Sequence, residues 1–141
     1  MGIAKSQFAQ ILTNIFKSGN TIHLFKTMPD PVTEAGGVKV SGTGYTGYTI
    51  KDGDFSVSGS QATSAKNMLM YLCEATGGHG IATGFGIYDG GSLLYFGEFE
   101  EPMTIGYNTV PTIKRYNGAG EGVRVTLTSV ESSGEAAAAS A

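Results

Sequence analysis

The chain has 141 residues, a net charge of −3 and one cysteine, and only 15% of its residues are charged. Its length indicates one domain with its own apolar core, and its single cysteine excludes an internal disulfide. Because Lys and Arg are scattered and no apolar segment is long enough to span a bilayer, we expect neither nucleic acid nor a membrane as a partner.

The first predicted element is a helix over residues 5–17. Its apolar residues recur at steps of three and four and form one stripe, which comprises Phe8, Ile11, Leu12, Ile15 and Phe16. The segment Ser18-Gly19-Asn20 ends the helix. We therefore assign residues 1–20 to an N-terminal helical segment. A helix this short needs a docking surface, which is either its own domain or a neighbouring subunit.

From residue 21 the hydrophobic period changes to two, which predicts strands. "TIHLFKTM" is one strand, closed by two prolines, and "VKVSGTGYTGYTI" is another that glycines interrupt. A "KDGD" turn then leads into "FSVSG". The segment 67–75, "NMLMYLCEA", is continuously apolar, and its length and the following "TGGHG" favour a strand covered on both faces.

Residues 80–88 combine large apolar side chains with glycine in strict alternation. The bulky positions are Ile81, Thr83, Phe85 and Ile87, and the bare positions are Gly80, Ala82, Gly84 and Gly86. Since side chains alternate across a strand, one face builds the core and the other is nearly bare. The bare face would admit an aromatic ring, the helix or another subunit. "DGG" and "SLLYFGEF" complete a predicted hairpin.

Three further strands are predicted in "PMTIGYN", "TVPTIKRY" and "VRVTLTSV", the last with Val123, Val125 and Leu127 inward. One helix and about eight short strands predict a mainly β fold, an antiparallel, jelly-roll-like β-sandwich with one N-terminal α-helix. The sandwich would occupy residues 21–130. Residues 131–141 are rich in Ala and Ser and predict a flexible tail that could order on a neighbour.

The residue pattern indicates no catalytic, cofactor or metal site. His23 and His79 have no further ligand at metal-binding spacing, and the glycine pairs lack the strand–loop–helix context of a phosphate site. Glu98, Glu100 and Glu101 could support glycoside hydrolysis as paired carboxylates, but before a proline they are more typical of a solvated turn. We therefore predict a protein without enzymatic activity.

Tyrosines near predicted turns and strand ends are the remaining candidates for binding. A tyrosine combines an apolar ring with a polar tip, which suits sugar stacking or a subunit interface, although a half-buried core position is the alternative. The tyrosines at such positions are Tyr45, Tyr48, Tyr88, Tyr107 and Tyr116. Three of them join residues of the helix stripe and of the bare face as the candidate interaction residues, namely Phe8, Ile11, Ile15, Tyr45, Tyr48, Gly84, Gly86 and Tyr88.

Several motifs, in their order along residues 8–128, resemble a family of small bacteriophage structural proteins generally labelled tail fibre proteins. The matching residues are Asp30-Pro31, Gly36-Gly37, Val40-Ser41-Gly42, Gly44-Tyr45, Phe85-Gly86-Ile87, Asp89, Gly91, Leu93-Leu94, Gly97 and Pro102. The chain departs from the family pattern at Gly78-His79, where a tryptophan is usual, and at Gly47, where an arginine is frequent. The first departure affects a core anchor and the second a possible interface contact.

The resemblance implies a non-enzymatic structural protein of the virion, assembled in the host cytoplasm without a cofactor. Its partners would be copies of itself and other phage structural proteins. Two placements stay open, a tail or tail-fibre-associated component and a decoration protein on the capsid lattice. A different hypothesis, based on the tyrosines, is a carbohydrate-binding module that recognises a host surface glycan.

Overall fold

The computed structural model describes residues 4–118 and 121–127, which form a mainly β, antiparallel fold with one N-terminal α-helix, and this confirms the predicted fold class. The predicted tail at 131–141 lies outside the described residues. The elements are a 3-10 turn (Lys5–Gln7), α1 (Phe8–Ile15), β1 (Thr21–Thr27), β2 (Val38–Lys39), β3 (Tyr48–Thr49), β4 (Phe55–Ser58), β5 (Gln61–Ser64), β6 (Met68–Leu69), β7 (Gly80–Asp89), β8 (Ser92–Ile105), β9 (Thr112–Ile113) and β10 (Arg124–Thr126).

The helix α1 packs on its own chain, which is the first of the two predicted alternatives. It buries Phe8 and Leu12 against β4 and β5, and the Phe16 ring lies 4.5 Å from the Phe55 ring. The helix ends where the buried Asn20 amide donates hydrogen bonds to the carbonyls of Asn14 and Ile15. This side chain satisfies carbonyls that have no partner within the helix.

The main sheet has the strand order β2-β1-β7-β8, and β3 also pairs with β1. Ile22 lies opposite Ile87 and Leu24 opposite Phe85, and these four side chains are buried on the core face. On the other face, which we call the outer face, His23 lies opposite Gly86 and Phe25 opposite Gly84. Directly opposed residues of an antiparallel pair share a face, so the bare glycines of β7 sit beside an aromatic residue of β1.

Two smaller antiparallel sheets, β10-β5-β4 and β6-β9, contribute to the same core. Ala62 and Val125 come from one of them, and Met68 and Ile113 from the other. The last described strand has the predicted alternation, because Val125 is buried and its neighbour Arg124 is exposed. The layers therefore enclose one shared hydrophobic cluster.

The predicted hairpin is present as β7 and β8, but the facing of its first residues differs from the expectation. Ile81 is 53% exposed, whereas Ala82 is fully buried. Ala82 pairs with Met103 and Gly84 with Glu98, so β8 bulges between these two pairs. The bulge contains Pro102, which has no N–H for the ladder, and the irregular pairing changes which residues of β7 face the core.

Candidate functional site

The structure separates the predicted interaction residues into two regions. Phe8, Ile11 and Ile15 lie on α1, where Phe8 is buried and the other two are packed against the core. The second region surrounds the outer face, to which β7 contributes Gly84, Gly86 and Tyr88, with Tyr45 in a nearby loop.

Tyr48 belongs to neither region. Its side chain is buried, and its hydroxyl donates a 2.7 Å hydrogen bond to Asp54. Burial and this contact raise the pKa of Tyr48 to about 12.

The bare side of β7 is covered by the chain's own residues. A Cβ atom added to Gly86 would lie 2.6 Å from the ring of Phe25, and one added to Gly84 would overlap the Met28 sulfur and the Gly97 carbonyl oxygen. Phe25 is itself only 2% exposed. Of the three expected occupants, an aromatic ring is the one present. Gly84 and Gly86, which are predicted as interaction residues, are therefore buried packing positions in this chain, and that prediction is corrected.

The loop between β2 and β3 is shaped around the two histidines. A Cβ atom on Gly42 would lie 2.7 Å from the His79 ring, and one on Gly47 would lie 2.7 Å from the His23 ring. Gly42 also has a φ of +137°, which other residues rarely adopt. Gly42 and Gly47 of "SGTGYTG" are thus positions where a ring approaches the backbone, and at Gly44 the Leu72 carbonyl oxygen takes that place.

His79 uses both ring nitrogens inside the fold. Its Nε2 lies 3.1 Å from the Thr43 carbonyl oxygen, which can only accept, so Nε2 carries a proton and donates it. Its Nδ1 lies 3.0 Å from the Tyr71 hydroxyl, and in the tautomer with the proton on Nε2 this hydroxyl donates to Nδ1. Both side chains are buried, and the ring of Tyr45 packs edge-on to Tyr71 at 5.0 Å. Because both ring nitrogens are hydrogen-bonded, His79 connects Thr43, in the loop between β2 and β3, with Tyr71.

His23 lies at the edge of this cluster, on the outer face. Its Nδ1 is 2.9 Å from the Tyr45 hydroxyl, and its ring is edge-on to Tyr88 at 5.3 Å. The Lys39 ammonium is 4.3 Å from the centre of the Tyr88 ring, a cation–π contact. Burial, and secondarily the positive charge of Lys39, lower the pKa of His23. The structure thus joins Tyr45 and Tyr88, two predicted interaction residues, through a histidine that the prediction did not include.

The chemistry of this cluster is that of packing and hydrogen bonding. Burial raises the pKa values of Tyr45, Tyr71 and Tyr88, so all three hydroxyls stay protonated near neutral pH. Within residues 4–118 and 121–127, no three His, Cys, Asp or Glu side chains are placed to hold a metal ion. In the same part of the chain, no helix is long and apolar enough to cross a membrane.

The carboxylates of "GEFEEP" lie along β8, beside a cleft of about 990 Å³ that is also lined by residues of 112–118 and 121–125. Glu98, Glu100 and Glu101 are all exposed. Their exposure agrees with solvated side chains, although they lie within a strand and its bulge instead of the predicted turn. Since β8 is the last strand of its sheet, these charges also line a sheet edge, where charge discourages pairing with another chain.

One surface was missed by the sequence analysis. Residues 68–73 run antiparallel to residues 108–113, held by the β6–β9 pair and by three hydrogen bonds beyond it, among them one from the Cys73 amide to the Thr109 carbonyl. We call the two-stranded segment 68–73 and 107–113 the apolar ribbon. Its inner side buries Met68, Met70, Tyr71, Cys73 and Ile113.

The outer side of the apolar ribbon faces solvent. Leu69 is 61% exposed, Tyr107 is 59% exposed, and Leu72 and Val110 are also exposed. The prediction that residues 67–75 are covered on both faces is therefore wrong. The segment forms only two residues of regular strand, and its exposed leucines are three residues apart, so it does not follow the two-residue alternation of a flat strand.

A signal for this surface does exist in the sequence. No Asp, Glu, Lys, Arg or His occurs in residues 67–73 or 102–113. Uncharged segments suggest burial, and nothing in either segment indicates that the pair lies at the surface with one side open. That arrangement follows from their pairing with each other across about 40 residues of chain.

Comparisons of the chain with known protein families, with curated proteins and with solved structures found no match.

Proposed function

We propose that this chain is a non-enzymatic structural subunit of a bacteriophage particle, in the tail or associated with the tail fibre. The sequence resemblance supplies the phage context. The structural support comes from the places that the resembling residues occupy in the fold.

The observation that carries the proposal is that five of the seven motif glycines are close-packing positions, namely Gly37, Gly42, Gly44, Gly86 and Gly97, whereas Gly36 and Gly91 have nothing within 4 Å of an added Cβ atom. A Cβ atom on Gly37 would lie 2.8 Å from Pro29, and one on Gly97 would lie 2.8 Å from the Tyr95 hydroxyl. Gly44 and Gly86 are equally restricted, by the Leu72 carbonyl oxygen and by Phe25. Glycine at such points admits a neighbour that any side chain would exclude. The motif is therefore a signature of how the chain packs, which supports a shared architecture with that structural family.

The polar interior also favours a scaffold. Every buried side-chain nitrogen or oxygen among the described residues has a hydrogen-bond partner within the chain. Asp54, for example, accepts hydrogen bonds from the Tyr48 hydroxyl and the Lys51 amide. A buried polar group held in this way contributes to one defined structure.

The direct test is to label the protein on intact particles. An antibody raised against the purified chain would be located by electron microscopy on particles of the phage that encodes it. We expect label at the tail, and quantitative mass spectrometry should find few copies per particle. Label over the whole head with hundreds of copies would establish the capsid-decoration alternative. Particles with no label and no copies of the chain would refute a structural role in the virion.

The carbohydrate hypothesis has a separate test. Binding of the isolated chain to a glycan array that is lost on Tyr88→Ala, but kept on Tyr48→Ala, would support it. Tyr48 is a suitable control because its ring is buried, whereas Tyr88 is half-exposed.

A further inference from the structure

The cleft beside β8 is bordered by the end strands of two sheets. Among the described residues, β8 pairs with β7 alone and β10 pairs with β5 alone. Residues 93–101 of β8 and residues 123–125 line the cleft, whose volume is about 990 Å³, and we call it the edge cleft. The end strand of a sheet presents unpaired backbone N–H and C=O groups. An extended peptide can therefore add to such a strand as a further strand.

On the core side of β8, the wall of the edge cleft is apolar and only partly covered. Tyr95, Phe99 and Met103 line the cleft and are half-buried against the core. The rings of Tyr95 and Phe99 lie 5.9 and 5.6 Å from the ring of the buried Phe85, which holds them in place. These side chains keep accessible apolar surface that a strand beside β8 would remove from water.

The same strand carries unpaired negative charge. Glu98 and Glu100 are exposed and flank the half-buried Phe99 in the sequence. Glu34 and Glu101 also line the edge cleft. Within residues 4–118 and 121–127, none of these four carboxylates forms an ion pair. An occupant that complements them is positively charged.

The two cations that line the edge cleft already have contacts within the chain. The Lys114 ammonium forms an ion pair with Glu121 at 2.8 Å, and the Arg124 guanidinium lies 5.4 Å from the centre of the Tyr116 ring. The lining therefore holds five carboxylates against two cations. This excess of negative charge persists when both cations are counted.

The segment of this chain that follows the described residues does not supply the missing positive charge. Residues 128–141 contain two glutamates and no Lys, Arg or His. The β8 edge of a second copy would bring the same carboxylates against Glu98 and Glu100, and like charges directly opposite each other are destabilising. The charge of the edge cleft therefore favours a segment of a different protein.

We propose that the edge cleft binds an extended, basic segment of another protein, which adds to β8 as a further strand and alternates apolar residues with lysine or arginine. Because side chains alternate between the two faces of a strand, one set would contact Tyr95 and Phe99, and the other would meet Glu98 and Glu100. Carboxylates that repel an acidic strand thereby select a basic one. The proposal goes beyond the virion assignment and does not depend on it.

Fluorescence anisotropy of a labelled short peptide of alternating lysine and valine, titrated with the purified full chain, tests the proposal. We expect a dissociation constant below about 100 μM that increases with added salt. Glu98→Gln combined with Glu100→Gln should weaken binding by about fivefold or more. Glu74→Gln is the matched control and should leave binding unchanged, because Glu74 is exposed, loses the same charge and lies outside the edge cleft.

Two further peptides separate strand pairing from charge attraction alone. One has the same composition with its lysines in a single block, and the other alternates but has methylated backbone nitrogens, which cannot donate hydrogen bonds. Both should bind more weakly than the first peptide. Equal binding of either peptide would overturn the proposal. A dissociation constant above about 100 μM for the alternating peptide would do so too. The same holds for unchanged affinity in the double variant when its circular dichroism spectrum matches wild type. Each result is independent of particle labelling, so peptide binding without any chain on the virion would reject the phage assignment and keep this one.

Discussion

The outer face of the main sheet and the outer side of the apolar ribbon differ in what covers them. On the outer face, glycines in β7 leave space that Phe25 fills, and this ring is only 2% exposed. On the ribbon, leucines and a tyrosine project into solvent, and Leu69 is 61% exposed.

This difference shows that small residues do not by themselves indicate an open face. Because glycine has no side chain, it leaves space on one face of a strand, and a ring from the same chain can fill that space. Large apolar residues do not by themselves indicate burial either, because a two-stranded segment covers only one of its sides with the core.

The largest expected effect separates two adjacent residues of the ribbon. Met68 is fully buried, so Met68→Ala should reduce the free energy of unfolding by about 3 kcal/mol. Leu69 faces solvent, so Leu69→Ala should change it by less than about 0.5 kcal/mol. Chemical denaturation at low protein concentration, where association contributes nothing, measures both. Equal losses for the two variants would mean that the ribbon is covered on both sides.

The next effect tests the covered glycines. Gly84→Ala places a methyl group against the Gly97 carbonyl and the Met28 sulfur, and we expect a loss of about 3 kcal/mol by overpacking. Gly91→Ala is the control in the same hairpin, because nothing lies within 4 Å of an added Cβ atom there. Thermal denaturation should show a lower melting temperature for Gly84→Ala than for Gly91→Ala. If Gly84→Ala were as stable as wild type, the face would be open after all.

A smaller effect is expected at the buried hydrogen bond of the histidine cluster. Tyr71→Phe leaves the His79 Nδ1 acceptor without its donor, which should lower the free energy of unfolding by about 2 kcal/mol. Tyr107→Phe removes a hydroxyl from an exposed ring and should be nearly neutral. Urea denaturation of both variants gives the comparison. A neutral Tyr71→Phe would show that this hydrogen bond does not stabilise the fold.

The smallest effect is the pH dependence from His23. Its pKa in the folded chain lies below the ordinary value of 6.5, so the unfolded chain binds the proton more readily. Stability from this group is therefore full above pH 6.5 and decreases as the pH falls toward the folded-state pKa. We expect the free energy of unfolding to drop between pH 7.5 and pH 5.5 by more in wild type than in His23→Gln. Identical pH profiles would contradict the lowered pKa.

The sequence predicted those parts of the fold that depend on local periodicity. The apolar stripe predicted α1, and the two-residue alternation predicted β1 and the β7–β8 hairpin. What covers each face depends on residues distant in the chain, and periodicity carries no information on that. Phe25 and Gly86 are some 60 residues apart and meet only because β1 pairs with β7.

The site shows the same limit. Tyr45 and Tyr88 were predicted from their position near turns, but the histidine that joins them was considered only as a metal ligand. The β8 bulge around Pro102 reversed the facing of Ile81 and Ala82, and the proline alone did not indicate where the register would shift. The ribbon was not predicted, because the continuously apolar segment 67–75 indicates a strand covered on both faces.

Hydroxyl-radical footprinting of the dilute, purified chain tests the central claim most directly, since it reports the accessibility of individual aromatic rings. We expect rapid modification of Tyr107 and protection of Phe25, whose exposed fractions are 59% and 2%. Rapid modification of Phe25 together with protection of Tyr107 in the dilute chain would contradict it.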